Sequence, residues 1–327
     1  MATGISFDVL DLRHFSAGAL RPLLDAEAAQ WIQRLHWDYR ASSSLLLQYL
    51  DNRLLPGYAA VDNGRITGYT FCVYEETKAV IGDLFAIPSQ STPPTPAIAI
   101  EQTLLNHQLE TLLSSPHVDR IESQMLIHSS GTHSAIFGDA GFTLFRRLFL
   151  VQPLNGRSST PAFNLPAGLE IRPWRDDDLT AAARLIAVSY RGHTDSAIND
   201  QYRSMHGSQR FLSNIVRYAG CGVFSPNASH VIALRGSREL VGVVLGSRVS
   251  PQSGHVTQLC VHPEWRRHGL ARQLLAIAAS NFTRLGATEV SLTVTEANTE
   301  AIELYKSENY ECRHTFDATV WQRPHTA

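Results

Sequence analysis

The sequence predicts an α/β protein built from two tandem domains of related fold. The first observation is a strand, a basic glycine-containing loop and an apolar helix that follow one another from His255 to Ala279. The second is another strand and helix directly downstream, from Glu289 to Ser307. The third is a similar order of strands and turns about 170 residues earlier in the chain.

The repeat is visible in the positions of three residue pairs. Each half has a strand with a central glycine, an apolar strand that ends at a proline, and a turn before its last strand. The pairs are Gly68 and Gly242 (174 residues apart), Pro88 and Pro263 (175), and Gly141 and Asn309 (168). A nearly constant separation indicates one fold used twice. Residues 152–168 are rich in Pro, Gly, Ser and Asn, which predicts a linker between domains 1–151 and 169–327.

Composition narrows the classes of function. The chain has 327 residues, 44% of them hydrophobic and 18% charged, so it can bury two cores. A net charge of −2 without lysine or arginine blocks argues against nucleic-acid and anionic-membrane partners. No secretory signal or bilayer-length apolar run is present, which predicts a cytoplasmic protein. Four unpaired cysteines and 14 histidines without ligand spacing predict no metal.

The loop between His262 and Ala271 has the features of a phosphate-binding loop. Its backbone N–H groups lie at the start of the predicted helix, where donors and the helix dipole favour an anion. Arg266 and Arg267 add positive charge, and Gly269 allows the backbone to approach a ligand closely. A glycine loop of another nucleotide-binding protein and a plain basic turn are the alternatives.

The pattern V-x-P-x-x-R-x-x-G-L-A in this loop resembles the acetyl-CoA pyrophosphate loop of the GNAT superfamily of N-acetyltransferases. A second GNAT motif is matched downstream by Asn298, Ala301 and Tyr305, with Asn309-Tyr310 in place of the usual Gly-Phe. The resemblance covers about Leu169 to Pro324 and implies acetyl-CoA as acyl donor. It implies these cofactor-binding residues: Leu259, Cys260, Val261, Arg266, Arg267, His268, Gly269, Leu270, Ala271, Arg272 and Asn298.

The fold implied for both halves is GNAT-like, a mixed, largely antiparallel twisted sheet flanked by helices. In the first half, the loop position holds Pro88 to Pro96, which has neither glycine nor arginine. Proline has no N–H to donate, so we predict a degenerate domain that does not bind acetyl-CoA. This layout resembles tandem GNAT proteins such as mycothiol synthase, without implying that substrate. The first domain is expected either to support the second structurally or to bind a ligand of its own.

Within the family resemblance, direct transfer of the acetyl group to a primary amine needs an acid for the leaving thiolate and a base for the amine. Tyr305 matches the family's tyrosine and is the candidate acid; a tyrosine that only packs on the core is the alternative. The candidate base is His255, and the alternative is a strand-end histidine without chemistry. Glu296 is a second candidate base, or else a surface carboxylate.

Recognition of a small-molecule amine is predicted for the segment Val188 to Met205, which is dense in Tyr, Arg, His and Asp. Tyr190, His193 and Asp195 could bind an ammonium or hydroxyls, and Arg191 and Arg203 a carboxylate. An ordinary solvated loop is the alternative. For the whole chain, the alternative to an enzyme is an acyl-CoA-binding sensor or scaffold without turnover. A monomer is expected by analogy, because a tandem repeat can replace a dimer.

Overall fold

The computed structural model describes residues 7–154, 164–218 and 220–324, which divide into two compact units. The first unit consists of the chain up to Arg34, Arg40–Arg146 and the segment from Phe316 onward. The second consists of Leu35–Tyr39 and Arg147–Thr315. Residues 155–163 of the predicted linker lie outside the described residues. Both units have the predicted α/β fold, with a mixed and mostly antiparallel sheet and flanking helices.

The first unit contains a sheet in which strands β1 to β4 form an antiparallel meander and β4 pairs with β5 in parallel. Its strands are β1 (Asp8–Asp11), β2 (Gly57–Asp62), β3 (Arg65–Glu75), β4 (Lys78–Ala86) and β5 (Arg120–Gln124). Its helices are α1 (Ala17–Leu35), α2 (Arg40–Asp51), α3 (Ala97–Ser114) and α4 (Ser134–Asp139). The core of this unit forms where α3 packs on the sheet, with Ile81, Leu84, Ile100 and Leu104 buried.

The second unit repeats this order of strands. An antiparallel series runs from β7 through β9 and β10 to β11, and β11 pairs with β12 in parallel. Its strands are β7 (Leu169–Pro173), β8 (Val223–Phe224), β9 (His230–Leu234), β10 (Leu240–Arg248), β11 (Ser253–Val261) and β12 (Glu289–Thr295). Its helices are α5 (Leu179–Ser189), α6 (Thr194–Ile198), α7 (Met205–Arg217), α8 (Leu270–Arg284) and α9 (Thr299–Ser307).

The last strand of each unit comes from the other half of the sequence. Strand β6 (Thr143–Pro153) follows β5 along the chain, but its residues 147–153 pair with β12 of the second unit. Strand β13 (Glu311–Gln322) follows β12, but its residues 318–322 pair with β5 of the first unit. The observed division therefore differs from the predicted boundaries 1–151 and 169–327, because 35–39 group with the second unit and 316–324 with the first.

The repeated glycines have a packing reason. A Cβ added to Gly68 would lie 2.8 Å from Ile100 of α3, and one added to Gly242 would lie 3.1 Å from Leu274 of α8. Each glycine therefore allows the main helix of its unit to approach the sheet closely. The two glycines are 174 positions apart in the sequence, and so are their contact residues Ile100 and Leu274. The repeat extends from the sequence to the packing of the core.

Both units also open their parallel strand pair at the same place. The pairing of β4 with β5 ends at Ile81 and Ser123, and that of β11 with β12 ends at Val256 and Leu292. The next residue of β4 is Gly82, and it has no partner in the pairing of β4 with β3. The next residue of β11 is Thr257, and it has no partner in the pairing of β11 with β10. A bulge of this kind bends a strand away from its partner. The two strands of each parallel pair therefore separate at this point. Within the described ranges, no helix is long and apolar enough to span a bilayer.

Candidate active site

The predicted phosphate loop lies between β11 and α8. Residues Pro263–Trp265 form a single 3₁₀ turn, and Gly269 is the N-cap of α8 with φ of +74°. Arg267 also has a positive φ, +66°, which a residue with a Cβ rarely adopts. A Cβ added at Gly269 would meet no atom within 4 Å, so open space lies in front of the helix N-terminus. The loop therefore has the shape that a bulky anion requires.

Three consecutive backbone donors of this loop have no acceptor among the residues that the structure describes. Within the described ranges, the N–H groups of Arg267, His268 and Gly269 form no hydrogen bond. They precede α8, whose first turn is anchored by the buried Leu270. In the first unit, the 175-residue separation of Pro88 and Pro263 places Thr92, Pro93 and Pro94 at the corresponding positions, and proline has no N–H to donate. The two loops thus differ in the availability of donors as well as in sequence.

The arginines around the loop are held by neighbours in the second unit. Arg266 donates to the carbonyl of Ser189 at 2.8 Å, and Arg267 pairs with Glu300 at 2.8 Å. Arg272 pairs with Glu308 at 2.5 Å. His268 is exposed, with Nδ1 2.8 Å from the carbonyl oxygen of Arg266. The Arg267 pair is strongly exposed, so a phosphate can replace the carboxylate at little cost.

The opened edge of β11 carries Leu259, Cys260 and Val261, which the sequence analysis gives as cofactor-binding residues. The hydroxyl of Tyr190 donates to the carbonyl of Leu259 at 3.5 Å, and that of Ser189 donates to the carbonyl of Val261 at 3.3 Å. Cys260 points away from this edge into the core formed by α5 and α7. Burial raises the pKa of the Cys260 thiol to about 12, so it is protonated at neutral pH and is a poor nucleophile.

Tyr305 lies on α9 with its side chain buried in the core under α8. Its ring centroid is 5.7 Å from that of Tyr310. Among the described residues, its hydroxyl has no hydrogen-bond partner. Burial, and then the negative charge of Asp195, raise the pKa of Tyr305, so the phenol is protonated at neutral pH. This is the state that a general acid needs.

The predicted acceptor residues converge at the C-terminal end of β12. Thr295 donates a short hydrogen bond to Asp195, and Asn298 Nδ2 lies 3.3 Å from His193 Nε2. His193 accepts from the Asp195 N–H as N-cap of α6, and Asn298 caps α9 by accepting from the Ala301 N–H at 3.3 Å. These residues are far apart in sequence, so the fold assembles a polar cluster here.

Tyr190 extends the same cluster with an aromatic surface. Its ring stacks on Tyr202 at a centroid distance of 4.5 Å and meets His193 edge-on at 5.3 Å. Its hydroxyl accepts from the Gln258 amide at 3.2 Å. Of the two arginines predicted for a substrate carboxylate, Arg203 donates to the carbonyl of Ser196, and Arg191 is exposed. The structure thus groups Tyr190, His193 and Asp195.

His255 does not have the surroundings of a general base. The residue is 6% exposed and lies between Trp37 and Phe149, whose ring centroids are 5.0 and 5.9 Å away. Its Nδ1 is 2.9 Å from the hydroxyl of Ser291. Burial, and then the charge of Arg147, lower the pKa of His255 to about 3. A weakly basic, enclosed imidazole has the surroundings of a core residue, which favours the alternative of a strand-end histidine without chemistry.

Arg147 is a candidate site residue that the sequence analysis missed. It lies opposite Thr295 in the pairing of β6 with β12, and its guanidinium donates to the hydroxyl of Thr293 at 3.4 Å. Its charge lowers the pKa of Tyr202 and Tyr305 against the larger opposing effect of burial. No local motif identifies Arg147, because only the pairing of β6 within the second unit brings it to the cluster.

Comparison with known proteins agrees with this geometry. Residues 195–309 match the model of the acetyltransferase (GNAT) family, a span that includes both motifs. This part of the chain is therefore similar to the GNAT acetyltransferase family, whose members transfer acyl groups from acyl-CoA to acceptors. Glu296 also falls in this span, at the exposed end of β12.

Solved structures share the fold over nearly the whole chain. A GCN5-related N-acetyltransferase from Sphaerobacter thermophilus is 17% identical, with 98% of this chain and 96% of that chain covered and a TM-score of 0.65. A tandem GNAT protein from the clavulanic acid biosynthesis pathway is 14% identical, with 98% and 100% covered and a TM-score of 0.58. A glucosamine N-acetyltransferase region of a fungal multi-domain β-N-acetylglucosaminidase is 14% identical, with 98% and 38% covered and a TM-score of 0.63. At these identities the likeness shows a tandem GNAT fold alone.

Proposed function

We propose that the second unit is an acetyl-CoA-dependent N-acetyltransferase that acts on a primary amine of a small molecule by direct transfer. The observation that carries this proposal is the row of three unused backbone donors at Arg267–Gly269, in front of open space at the start of α8. Backbone N–H groups in proteins normally have a hydrogen-bond partner. These three have none among the described residues, so they are available to bind an anion. The opened strand pair β11 and β12 lies directly next to this loop in sequence.

Different residues of the second unit are proposed to bind the cofactor and to donate the proton. The loop and Arg266 to Arg272 hold the phosphates, and the segment Leu259–Val261 holds the arm that carries the thioester. Acetyl-CoA supplies the activated acetyl group when it is bound. Tyr305 keeps its proton at neutral pH and is placed to give it to the leaving sulfur. No covalent enzyme intermediate is needed, since Cys260 is held protonated in the core.

Asp195 is the proposed anchor for the amine. The negative charge of its carboxylate contributes to the raised pKa of Tyr305, so Asp195 lies close enough to influence the proposed acid. An ammonium group is attracted to such a carboxylate, and the aromatic faces of Tyr190 and Tyr202 suit a cation or a sugar-like ring. Since His255 is enclosed, the proton of the amine is proposed to leave through Asp195 or through water. Glucosamine, the substrate named for one structural neighbour, is a reasonable first amine to assay.

A non-catalytic acyl-CoA sensor is the second candidate, favoured by the enclosure of the predicted base. Two measurements distinguish the enzyme from the sensor. The first is thiol release from acetyl-CoA with a panel of amines, and the second is acetyl-CoA affinity by calorimetry. We expect Tyr305→Phe to lower turnover about 100-fold or more, the usual contribution of a general acid, with unchanged affinity. The matched control is Tyr310→Phe, which removes a neighbouring buried hydroxyl without a partner. Equal loss in both variants would contradict the role of Tyr305, and binding without turnover for any amine would favour the sensor.

The cofactor site is tested by placing a carboxylate in it. We expect Gly269→Glu to abolish acetyl-CoA binding, because its side chain would project into the open anion site. Gly269→Ala is the control, since it introduces the same strain at positive φ without charge or bulk. We also expect one acetyl-CoA per chain, because Pro93 and Pro94 stand at two of the three corresponding positions in the first unit and have no N–H to donate. Two sites would refute the degenerate interpretation of the first unit, and retention of binding by Gly269→Glu would refute the loop assignment.

A further inference from the structure

A cluster of one carboxylate and two imidazoles lies inside the first unit, outside the proposed acetyltransferase site. His128 Nε2 is 3.3 Å from one carboxylate oxygen of Glu101, and His133 Nε2 is 3.3 Å from the other. The side chains are 9%, 11% and 3% exposed for Glu101, His128 and His133 respectively. One ligand atom from each residue lies within 4.8 Å of the other two. The cluster is therefore compact and nearly closed to solvent.

The elements that bring these residues together are the same ones that form the active site of the second unit. Glu101 lies near the start of α3, the counterpart of α8, and its carboxylate accepts from the Ala86 N–H at the end of β4. His128 follows β5, and His133 is the N-cap of α4. Asn298 has the corresponding position before α9. The cluster thus occupies the place in the first unit where the second unit has its proposed acyl-CoA cleft.

His133 is a buried histidine whose ring nitrogens are available to bind a ligand. Neither of its ring nitrogens has a hydrogen-bond partner in the described part of the chain, although the residue is only 5% exposed. The contact of Nε2 with Glu101 meets the distance of an ion pair but lacks hydrogen-bond geometry. Leaving a polar group buried without a partner costs on the order of 1–3 kcal/mol. A metal ion at Nε2 would remove that cost.

The distances fit a metal centre. Ligands at about 2.05 Å from a tetrahedral zinc ion lie about 3.3 Å from one another. His128 Nε2 is 3.3 Å from one oxygen of Glu101 and His133 Nε2 is 3.3 Å from the other, so each imidazole has one carboxylate oxygen at ligand spacing. A cavity of about 20 Å³ adjoins the two histidines and is bordered by Thr132, Ser134 and Asp317. That volume holds one water molecule, which is the fourth ligand that a three-residue site leaves open.

The charge of the cluster also favours a cation. The Glu101 side chain is 9% exposed, and each of its two carboxylate oxygens lies 3.3 Å from an imidazole nitrogen. Asp317, on the border of the cavity, is satisfied by Ser130, Gly131 and Ser134 and needs no ion of its own. A buried carboxylate with two imidazoles is a ligand set for zinc and neighbouring first-row divalent ions.

We propose that Glu101, His128 and His133 form a binding site for a divalent first-row metal ion, with Zn²⁺ as the expected occupant. The ion would link the start of α3 to the loop between β5 and α4 and so fix the opened strand pair of the first unit. Ligand spacing in the sequence gave no sign of this site, because Glu101 is 27 and 32 residues away from the two histidines. The first unit would then have a metal where the second has its acyl donor.

The test uses the full chain without an affinity tag, stripped of metal by a chelator and dialysed. Zn²⁺ is titrated in competition with a chromophoric chelator, and Co²⁺ absorption in the visible range reports the ligand geometry. We expect one tight Zn²⁺ per chain, and a tetrahedral Co²⁺ spectrum. His133→Gln and Glu101→Gln should each weaken Zn²⁺ binding by at least about tenfold. His107→Gln is the matched control, since His107 is an exposed histidine on the same helix.

Stability provides a readout that does not depend on enzyme activity. Zn²⁺ should raise the melting temperature of the stripped wild type and of His107→Gln, and have no such effect on His133→Gln. Circular dichroism checks that the variants fold. If His133→Gln does not fold, Glu101→Gln takes its place in this measurement, because it keeps the size of the side chain. Equal Zn²⁺ affinity in wild type and in the two ligand variants would overturn the proposal. So would a stripped wild type that binds no more Zn²⁺ than those variants do.

Discussion

At the scale of single residues, burial separates the groups that can react from those that only resemble reactive ones. Tyr305 and His255 were both predicted from their positions in a motif and a strand. The structure leaves the phenol of Tyr305 without a partner in the described residues and beside Asp195. It encloses the imidazole of His255 between two aromatic rings. One of these rings, Trp37, comes from a segment more than 200 residues earlier, which no local reading of the strand could anticipate.

His255 leads to a prediction about stability and pH. The folded protein keeps this imidazole neutral down to a pKa of about 3, whereas the unfolded chain protonates it near 6.5. The unfolded state therefore binds more protons between these values, and stability is lost as the pH falls from about 6.5 toward 3. His230, whose pKa is lowered to about 4 by burial and then by Arg284, acts in the same direction.

We expect His255→Gln to flatten the decrease in unfolding free energy below pH 6.5 by up to about 1.4 kcal/mol per pH unit. Urea denaturation at a series of pH values measures this slope. His117→Gln, at an exposed histidine, should leave the slope unchanged. We also expect His255→Gln to retain turnover within about tenfold, since a general base contributes 10²-fold or more. A larger loss of turnover in a folded variant would restore His255 as the base.

At the scale of elements, the sequence predicted the strands and helices around both motifs, and the structure confirms them. The helix from Leu270 and the helix over Thr299–Ser307 are present, and α8 continues to Arg284. The repeat is confirmed down to the bulges at Gly82 and Thr257. Local patterns predicted that the prolines of the first unit's loop remove donors. They could not predict that Asp62, at the end of β2, accepts from the Gln90 and Ser91 N–H groups of the same loop.

Helix α9 provides a prediction about an element that positions a reactive group. Asn298 caps this helix, which carries Tyr305, and its amide also contacts His193. Loss of an N-cap costs about 1 kcal/mol. We expect Asn298→Ala to lower the unfolding free energy by about that amount and to reduce kcat more than it raises the KM for acetyl-CoA.

Asn298→Asp is the matched control, because aspartate caps helices equally well but replaces the amide group that faces His193 Nε2 by a carboxylate oxygen. It should keep wild-type stability while changing the KM for the amine, since only the group opposite His193 changes. Thermal denaturation and steady-state kinetics of both variants measure these effects. Equal stability of Asn298→Ala and Asn298→Asp would contradict the role of the cap.

At the scale of the whole molecule, the two halves of the sequence do not coincide with the two units. A repeat detected from sequence suggests two independent domains, each closed by its own last strand. The structure instead assigns residues 147–153 to the second unit and the segment from Phe316 to the first. Sequence patterns identify a strand but not its partner, because an antiparallel neighbour can come from any part of the chain.

This strand exchange predicts the outcome of shortening the chain. Residues 318–322 pair with β5, and Phe316 and Ala318 are 1% and 0% exposed. A chain that ends at Thr315 would leave β5 with an unpaired edge and would expose that part of the first unit's core. A chain that ends at Pro324 keeps the pairing and is the matched control. In hydrogen–deuterium exchange, the chain ending at Thr315 should lose protection in β4 and β5, while β11 and β12 of the second unit keep theirs. Loss of protection confined to the second unit, or no loss at all, would show that the C-terminal strand does not stabilise the first unit.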